Sequence, residues 1–283
     1  LNHEALRHLN IVATYDFAEN KPSVVPSDTL RGGGDHGTMT LSTIAGYKPG
    51  QLIGPAYCAS FVLARTEVYS SETPLEEDNW VAAIEWADSI GVDIVSTSLN
   101  YLDFDSIPPY RDYAWQEMDG NTALITRAAD MAVSKGILVV VAGGNTGNKP
   151  TGGNTLWAPA DGDSVLSMGA VDQFGSRVRF SSFGPTTSDP PRIKPDVMAL
   201  GYGVWVANPI GFGTYIYVAG TSFSCPLGAG VAALLIRDVP TATPMEIIEA
   251  LHATASNSEN PNNLYGWGIL NPYAARDYLR RLR

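Results

Sequence analysis

The chain has 283 residues, 45% of them hydrophobic and only 17% charged, with a formal net charge of −11 and two cysteines. That length suits one large α/β unit or two smaller ones, with apolar content enough for a sizeable core and too few cysteines for a disulfide framework. The acidic balance argues against a nucleic-acid surface, and no run has the length of a membrane span or the form of a signal peptide.

In chain order, an apolar run at residues 11–16 ends in the carboxylate Asp16. Asp35-His36-Gly37-Thr38 then leads into small and apolar residues 39–46, which read as a buried helix. Residues 60–65 read as a strand just after Cys58. Glu67, Glu72, Glu76, Glu77 and Asp78 form an acidic stretch. Its oxygens suit Ca2+ or basic substrates, but a solvated loop and helix start is the simpler account of them. Residues 78–90 read as a helix capped by Asp78 and stopped by Gly91, with Trp80, Ile84 and Ala87 on one face.

A strand follows at 92–97, then a Tyr-, Pro- and Asp-rich insertion at 101–120 and a helix at 122–135 stopped by Gly136. Residues 137–141 are a buried strand ending in Ala142-Gly143-Gly144-Asn145. Strands are expected at 165–171 and 178–180, and a pair at 204–207 and 215–219. Gly220-Thr221-Ser222-Phe223-Ser224-Cys225-Pro226 opens a helix that is apolar nearly all round. Thr243-Pro244-Met245-Glu246 is a capping box, and Asn271-Pro272 opens a last helix with Arg280 and Arg281 at its dipole-negative end. Alternating strands and helices imply a parallel sheet with helices on both faces, and ligands in such sheets lie beyond the strand C-termini.

A serine at the first turn of a buried helix is rigidly held where backbone N–H groups point outward, which suits a nucleophile whose product is an oxyanion. A plain serine cap on a core helix is the simpler account of that motif alone. His36, Asn145 and Ser222 each end or begin an apolar element, and together they supply a base, an amide and a hydroxyl for acyl transfer.

These motifs resemble those of subtilisin-like serine proteases (subtilases). The likeness covers almost the whole chain: His36-Gly37-Thr38, Ala142 through Asn145, and Gly220 through Pro226 match the family's three motifs. Residues 94–99, Phe180 through Pro185, Lys194-Pro195-Asp196-Val197 and Gly266-Trp267-Gly268 fit as well. The resemblance implies a three-layer subtilisin-like fold over residues 1–283. It implies a serine endopeptidase with catalytic His36 and Ser222 and oxyanion Asn145. Ser98, Leu99, Asn100, Gly143, Gly144, Trp157 and Thr221 would line the substrate.

The family's triad aspartate has no clear match. Asn2-His3-Glu4-Ala5-Leu6 resembles the segment that follows it, which puts the acid before residue 1 and leaves the first catalytic strand missing. Asp16 is the substitute candidate, although Phe17-Ala18 follows it where the family has Thr-Gly or Ser-Gly. A pseudoprotease or peptide-binding module lacking a working triad is the alternative function. Asn100, where the family has glycine, and Trp157, near the base of the P1 pocket, imply a shallow pocket for a small P1 residue. No cofactor and no specific metal ligand is expected, a structural Ca2+ not being readable from the sequence. Polypeptide substrates, no nucleic acid, no membrane, a monomer, a propeptide and an extracellular or cell-surface location follow from the resemblance.

Overall fold

The computed structural model describes residues 2–27, 35–149 and 152–283. Its elements begin with β1 (Asn10–Asp16), α1 (Asp35–Ala45), the short β2 (Tyr47–Lys48) and β3 (Leu52–Ile53), β4 (Ser60–Arg65), α2 (Leu75–Ile90) and β5 (Ile94–Thr97). There follow α3 (Leu124–Ser134), β6 (Leu138–Ala142), β7 (Leu166–Val171), β8 (Val197–Leu200), β9 (Tyr202–Ala207) and β10 (Tyr215–Ala219). Three helices close the chain: α4 (Thr221–Asp238), α5 (Pro244–Thr254) and α6 (Pro272–Arg281).

Strands β5, β6, β7 and β8 form a parallel sheet in that order. The side chains of β6 account for the layering. All five are buried. Leu138, Val140 and Ala142 join Cys225, Ala229 and Leu235 of α4 and Leu251 of α5 in one core. Val139 and Val141 join Trp80 of α2 and Ala129 and Ala132 of α3 in another. Alternate residues of a strand point to opposite faces, so an uninterrupted apolar strand needs helices on both sides. The result is the three-layer α/β architecture expected.

Several boundaries differ from expectation for local reasons. Helix α2 begins at Leu75 rather than Asp78, behind Pro74, and Asp78 sits in its first turn instead of capping it. Proline restricts φ in a way that suits a helix start, and acidic groups favour that end of the dipole. Gly91 ends the helix at φ 87°, as expected. Residues 178–180 form a turn and not a strand: Val178 N–H reaches Ala170 O, but Ser181 N–H folds back to Val178 O. Strand β8 and the β2–β3 hairpin are too short to carry a readable alternation.

The sheet is interrupted. Strands β1 and β4 pair in parallel as a separate two-stranded unit, and β4 shares no ladder with β5 although α2 joins them directly. A strand–helix–strand connection normally lays its strands parallel in one sheet. Among the described residues, the edges of β4 and β5 that face this break are unpaired. Ser96 of β5 is exposed, whereas every residue of β6 is buried.

Candidate active site

Gly220 precedes α4 with φ 149° and ψ 152°, a conformation open mainly to glycine. It lets the chain turn directly into the helix with Ser222 in the first turn, 9% exposed. Pro226 lies four residues on and has no N–H to give to the Ser222 carbonyl. Ser98 Oγ donates to that carbonyl instead, at 2.8 Å. The strand expected to border the substrate therefore anchors the backbone of the serine turn. Cys225, one turn after Ser222, is fully buried. Its Sγ contacts the carbonyls of Thr97 and Val140, and burial pushes the thiol up to about 11. It is therefore no nucleophile, and both Cys225 and Cys58 are free thiols.

Strand β6 carries Asn145 to the same place. Gly143 N–H bonds Met168 O, and Gly144 turns the chain at φ 106°. Asn145 is exposed, yet its carboxamide is fixed. Its Oδ1 accepts from Thr221 N–H at 2.9 Å and from Thr221 Oγ1 at 3.0 Å. Thr221 Oγ1 in turn accepts from Gly144 N–H at 3.1 Å. With the oxygen held from behind, Nδ2 faces the turn before Ser222. A Cβ on Gly220 would stand 3.6 Å from it. Among the described residues Nδ2 has no acceptor, so one oriented donor stands next to the helix N-terminus.

His36 lies in the first turn of α1, which packs against α4. Its ring meets Phe223, the neighbour of Ser222, edge-on at 6.1 Å between centroids. The residue is open to solvent on one side, while desolvation on the other lowers its pKa below the usual histidine value. A neutral imidazole at pH 7 suits a general base. Among the described residues no carboxylate bonds its ring. Asp16 is fully buried at the end of β1, paired with Arg65 Nη1 at 2.6 Å and accepting from Glu19 N–H at 2.9 Å. Those partners account for it as a strand-end carboxylate.

Most of the remaining predicted residues lie where β5 and β6 end. Strands β5 and β6 are paired as far as Thr97 and Val141, where the ladder ends. Ser98, Leu99 and Asn100 follow β5, and Gly143 and Gly144 follow Ala142 at the end of β6. Asn100 Nδ2 spans them, donating to Ala142 O at 2.8 Å. Trp157 is half-buried, its Nε1 donating to Thr146 Oγ1 at 3.0 Å. Tyr101 joins Ala158 through paired backbone bonds. Its hydroxyl bonds Glu67. The carboxylates of Glu67, Glu72 and Glu76 lie within 4.8 Å of one another. Burial raises Glu67 to about 7 and, with its acidic neighbours, Glu72 to about 8.

The pattern of the Subtilase family (Peptidase S8) matches residues 2–268. The chain belongs to this family. Subtilisin DY of Bacillus licheniformis is 33% identical over 244 residues, 86% of this chain and 78% of that protein. Subtilisin NAT of Bacillus subtilis subsp. natto is 34% identical over 257 residues, 89% of this chain but only 59% of its relative. In structure, this subtilase resembles a variant of the protease domain of PatA with a TM-score of 0.74 at 22% identity, covering 99% and 91% of the two chains. It also resembles fervidolysin of Fervidobacterium pennivorans with a TM-score of 0.72 at 24% identity, covering 98% and 40%.

Two contacts in this region were not anticipated. The Ser98–Ser222 contact had a signal in the proline four residues after the serine, since such a proline always orphans one carbonyl. The Thr146 anchor for Trp157 had none, because it joins residues from two loops.

Proposed function

We propose that this subtilase is a serine endopeptidase. The observation that carries the reading is the Thr221 clamp on Asn145, which leaves a single free amide donor beside Ser222. Ser222 Oγ attacks the peptide carbonyl as His36 takes its proton. The oxyanion is held by Asn145 Nδ2 and the Ser222 N–H. His36 then protonates the leaving amine, and water hydrolyses the acyl-enzyme by the same route in reverse. The substrate backbone runs along Ser98, Leu99 and Asn100 as an added strand.

The histidine's carboxylate partner enters, in this reading, on a strand that fills the break between β4 and β5. The C-terminal end of β5 runs into Ser98, which already touches Ser222. A parallel strand in the break would therefore end on the same side. Such a strand would also pair the two open edges, which are otherwise sites for unwanted association. An extracellular location and a propeptide belong to this proposal as well. Among the described residues no helix is long and apolar enough to cross a membrane.

Hydrolysis of an internally quenched peptide library tests the reading. The parent is expected to cleave internal bonds, and Ser222→Ala to lose all turnover. Cleavage that survives Ser222→Ala would refute it. Saturable peptide binding with no cleavage would favour the peptide-binding alternative.

A further inference from the structure

Proton transfer between His36 and Ser222 depends on the register of two helices. The base stands in the first turn of α1 and the nucleophile in the first turn of α4. A small third core lies between them. Met39 of α1, Val204 and Val206 of β9, Ile216 and Val218 of β10, and Phe223 of α4 pack in one apolar cluster. Phe223 also meets the His36 ring. Apolar packing is non-directional, so this cluster holds α1 against the hairpin without fixing where along it the helix stops.

A directional contact comes from Ser42, further along α1 and fully buried. Its Oγ donates to Met39 O at 2.8 Å and accepts from Ala207 N–H at 3.0 Å. The ladder explains why that N–H is available. Bonded and non-bonded pairs alternate along antiparallel strands. Asn208 N–H bonds Thr214 O, so Ala207 and its partner Tyr215 form a non-bonded pair. The N–H of Ala207 therefore points away from β10, and Ala207 is itself fully buried. A buried donor needs an acceptor, and Ser42 supplies the one that the strand cannot.

From this bond the chain to the nucleophile is short. Ala207 pairs with Tyr215, β10 runs from Tyr215 to Ala219, and Gly220, Thr221 and Ser222 follow. Thr221 is in turn held by Asn145. We propose that Ser42 is a positioning residue: its hydroxyl sets the register of α1 on the hairpin, and with it the placement of the His36 imidazole against the Ser222 hydroxyl. This inference rests on the endopeptidase reading and adds to it the residue that aligns base and nucleophile.

The rate at which a simple alkyl fluorophosphonate labels Ser222 tests the proposal. The serine oxygen bonds phosphorus, fluoride leaves, and His36 takes the serine proton. Misplacing a reacting group by about 1 Å can cost on the order of 10²-fold. Ser42→Ala should label at least about tenfold more slowly than the parent. In peptide hydrolysis it should lower kcat and leave KM unchanged, because Ser98, Leu99 and Asn100 are not on α1. Ser42→Thr keeps the hydroxyl and should recover most of the rate. Ser42→Cys, similar in shape but a weaker acceptor, should fall between parent and alanine variant, and it guards against misfolding of Ser42→Ala. Thr126→Ala is the control for lost stability. It removes another fully buried hydroxyl, which donates to Asp161 at 2.7 Å from α3, the helix on the other face of the sheet. It should melt earlier than the parent yet label at the parent's rate. A labelled parent with an unchanged rate in Ser42→Ala, or equal slowing in Thr126→Ala, overturns this proposal alone. A parent whose Ser222 stays unlabelled overturns the endopeptidase reading, and this proposal with it.

Discussion

Thr221 Oγ1 bonds both Gly144 N–H and Asn145 Oδ1, and so fixes which end of the Asn145 amide faces the substrate. Asn145→Ala is expected to lower kcat by about 10²–10³ with little change in KM, the size of effect known for one oxyanion donor in subtilisin itself. Steady-state kinetics on a single peptide checks it. Thr221→Val should lower kcat by a smaller factor, because the amide keeps the Thr221 backbone bond and loses only the hydroxyl bond, while Thr221→Ser should restore most of it. Asp16 has a different kind of role. Arg65→Ala strands its buried carboxylate and should destabilise the fold by about 3–5 kcal/mol in urea unfolding. At this scale the sequence was informative wherever chemistry needs a particular side chain in a motif. His36, Asn145 and Ser222 lie on the elements expected of them, and the first turn of α4 brings Thr221 to Asn145. The ion pair that accounts for Asp16 was not readable, because Arg65 lies 49 positions away on the paired strand.

Helix α4 solves a problem created by its own proline. Pro226 removes the donor for the Ser222 carbonyl, and Ser98 from the end of β5 supplies another. Ser98→Ala alone should therefore cost about 1–3 kcal/mol by leaving a buried carbonyl unsatisfied. Adding Pro226→Ala returns a helical N–H four residues from Ser222. The double variant is expected to be less destabilised than the sum of the two single variants. Additive losses in denaturant unfolding would mean that Ser98 does not serve this carbonyl. Most elements were legible because their signals are local: the buried run of β6, the glycine stop of α2, the capping box of α5 and the asparagine cap of α6. The start of α2 was misread because an acidic residue in a first turn resembles a cap. The turn at 178–180 was misread because three residues alternate too briefly to distinguish a strand.

For the whole molecule, the acidic cluster sets a pH dependence. Glu67 and Glu72 titrate at about 7 and about 8 in the folded chain, above the ordinary carboxylate value of 4.5. Between pH 4.5 and 8 the unfolded chain has therefore already lost protons that the folded chain still holds. Stability from this cluster is full below about pH 4.5 and declines as pH rises to about 8. Melting scans at pH 5 and pH 8 should show a lower melting temperature at the higher pH, with the difference reduced in Glu67→Gln and Glu72→Gln. An equal slope in those variants would remove the cluster as its cause. The overall architecture was legible from the alternation of strands and helices, and the family motifs predicted the three layers. The bunching of Glu67, Glu72 and Glu76 was not, since their spacing reads more simply as a solvated loop.

All of this depends on one catalytic centre built from three distant segments. Mass spectrometry after treatment with a fluorophosphonate tests that centre most directly, by locating the adduct in the parent, in His36→Ala and in Ser222→Ala. A single adduct on Ser222, greatly slowed without His36 and absent without the serine, is the expected result. An unmodified Ser222, or an adduct whose rate ignores residue 36, would contradict the account.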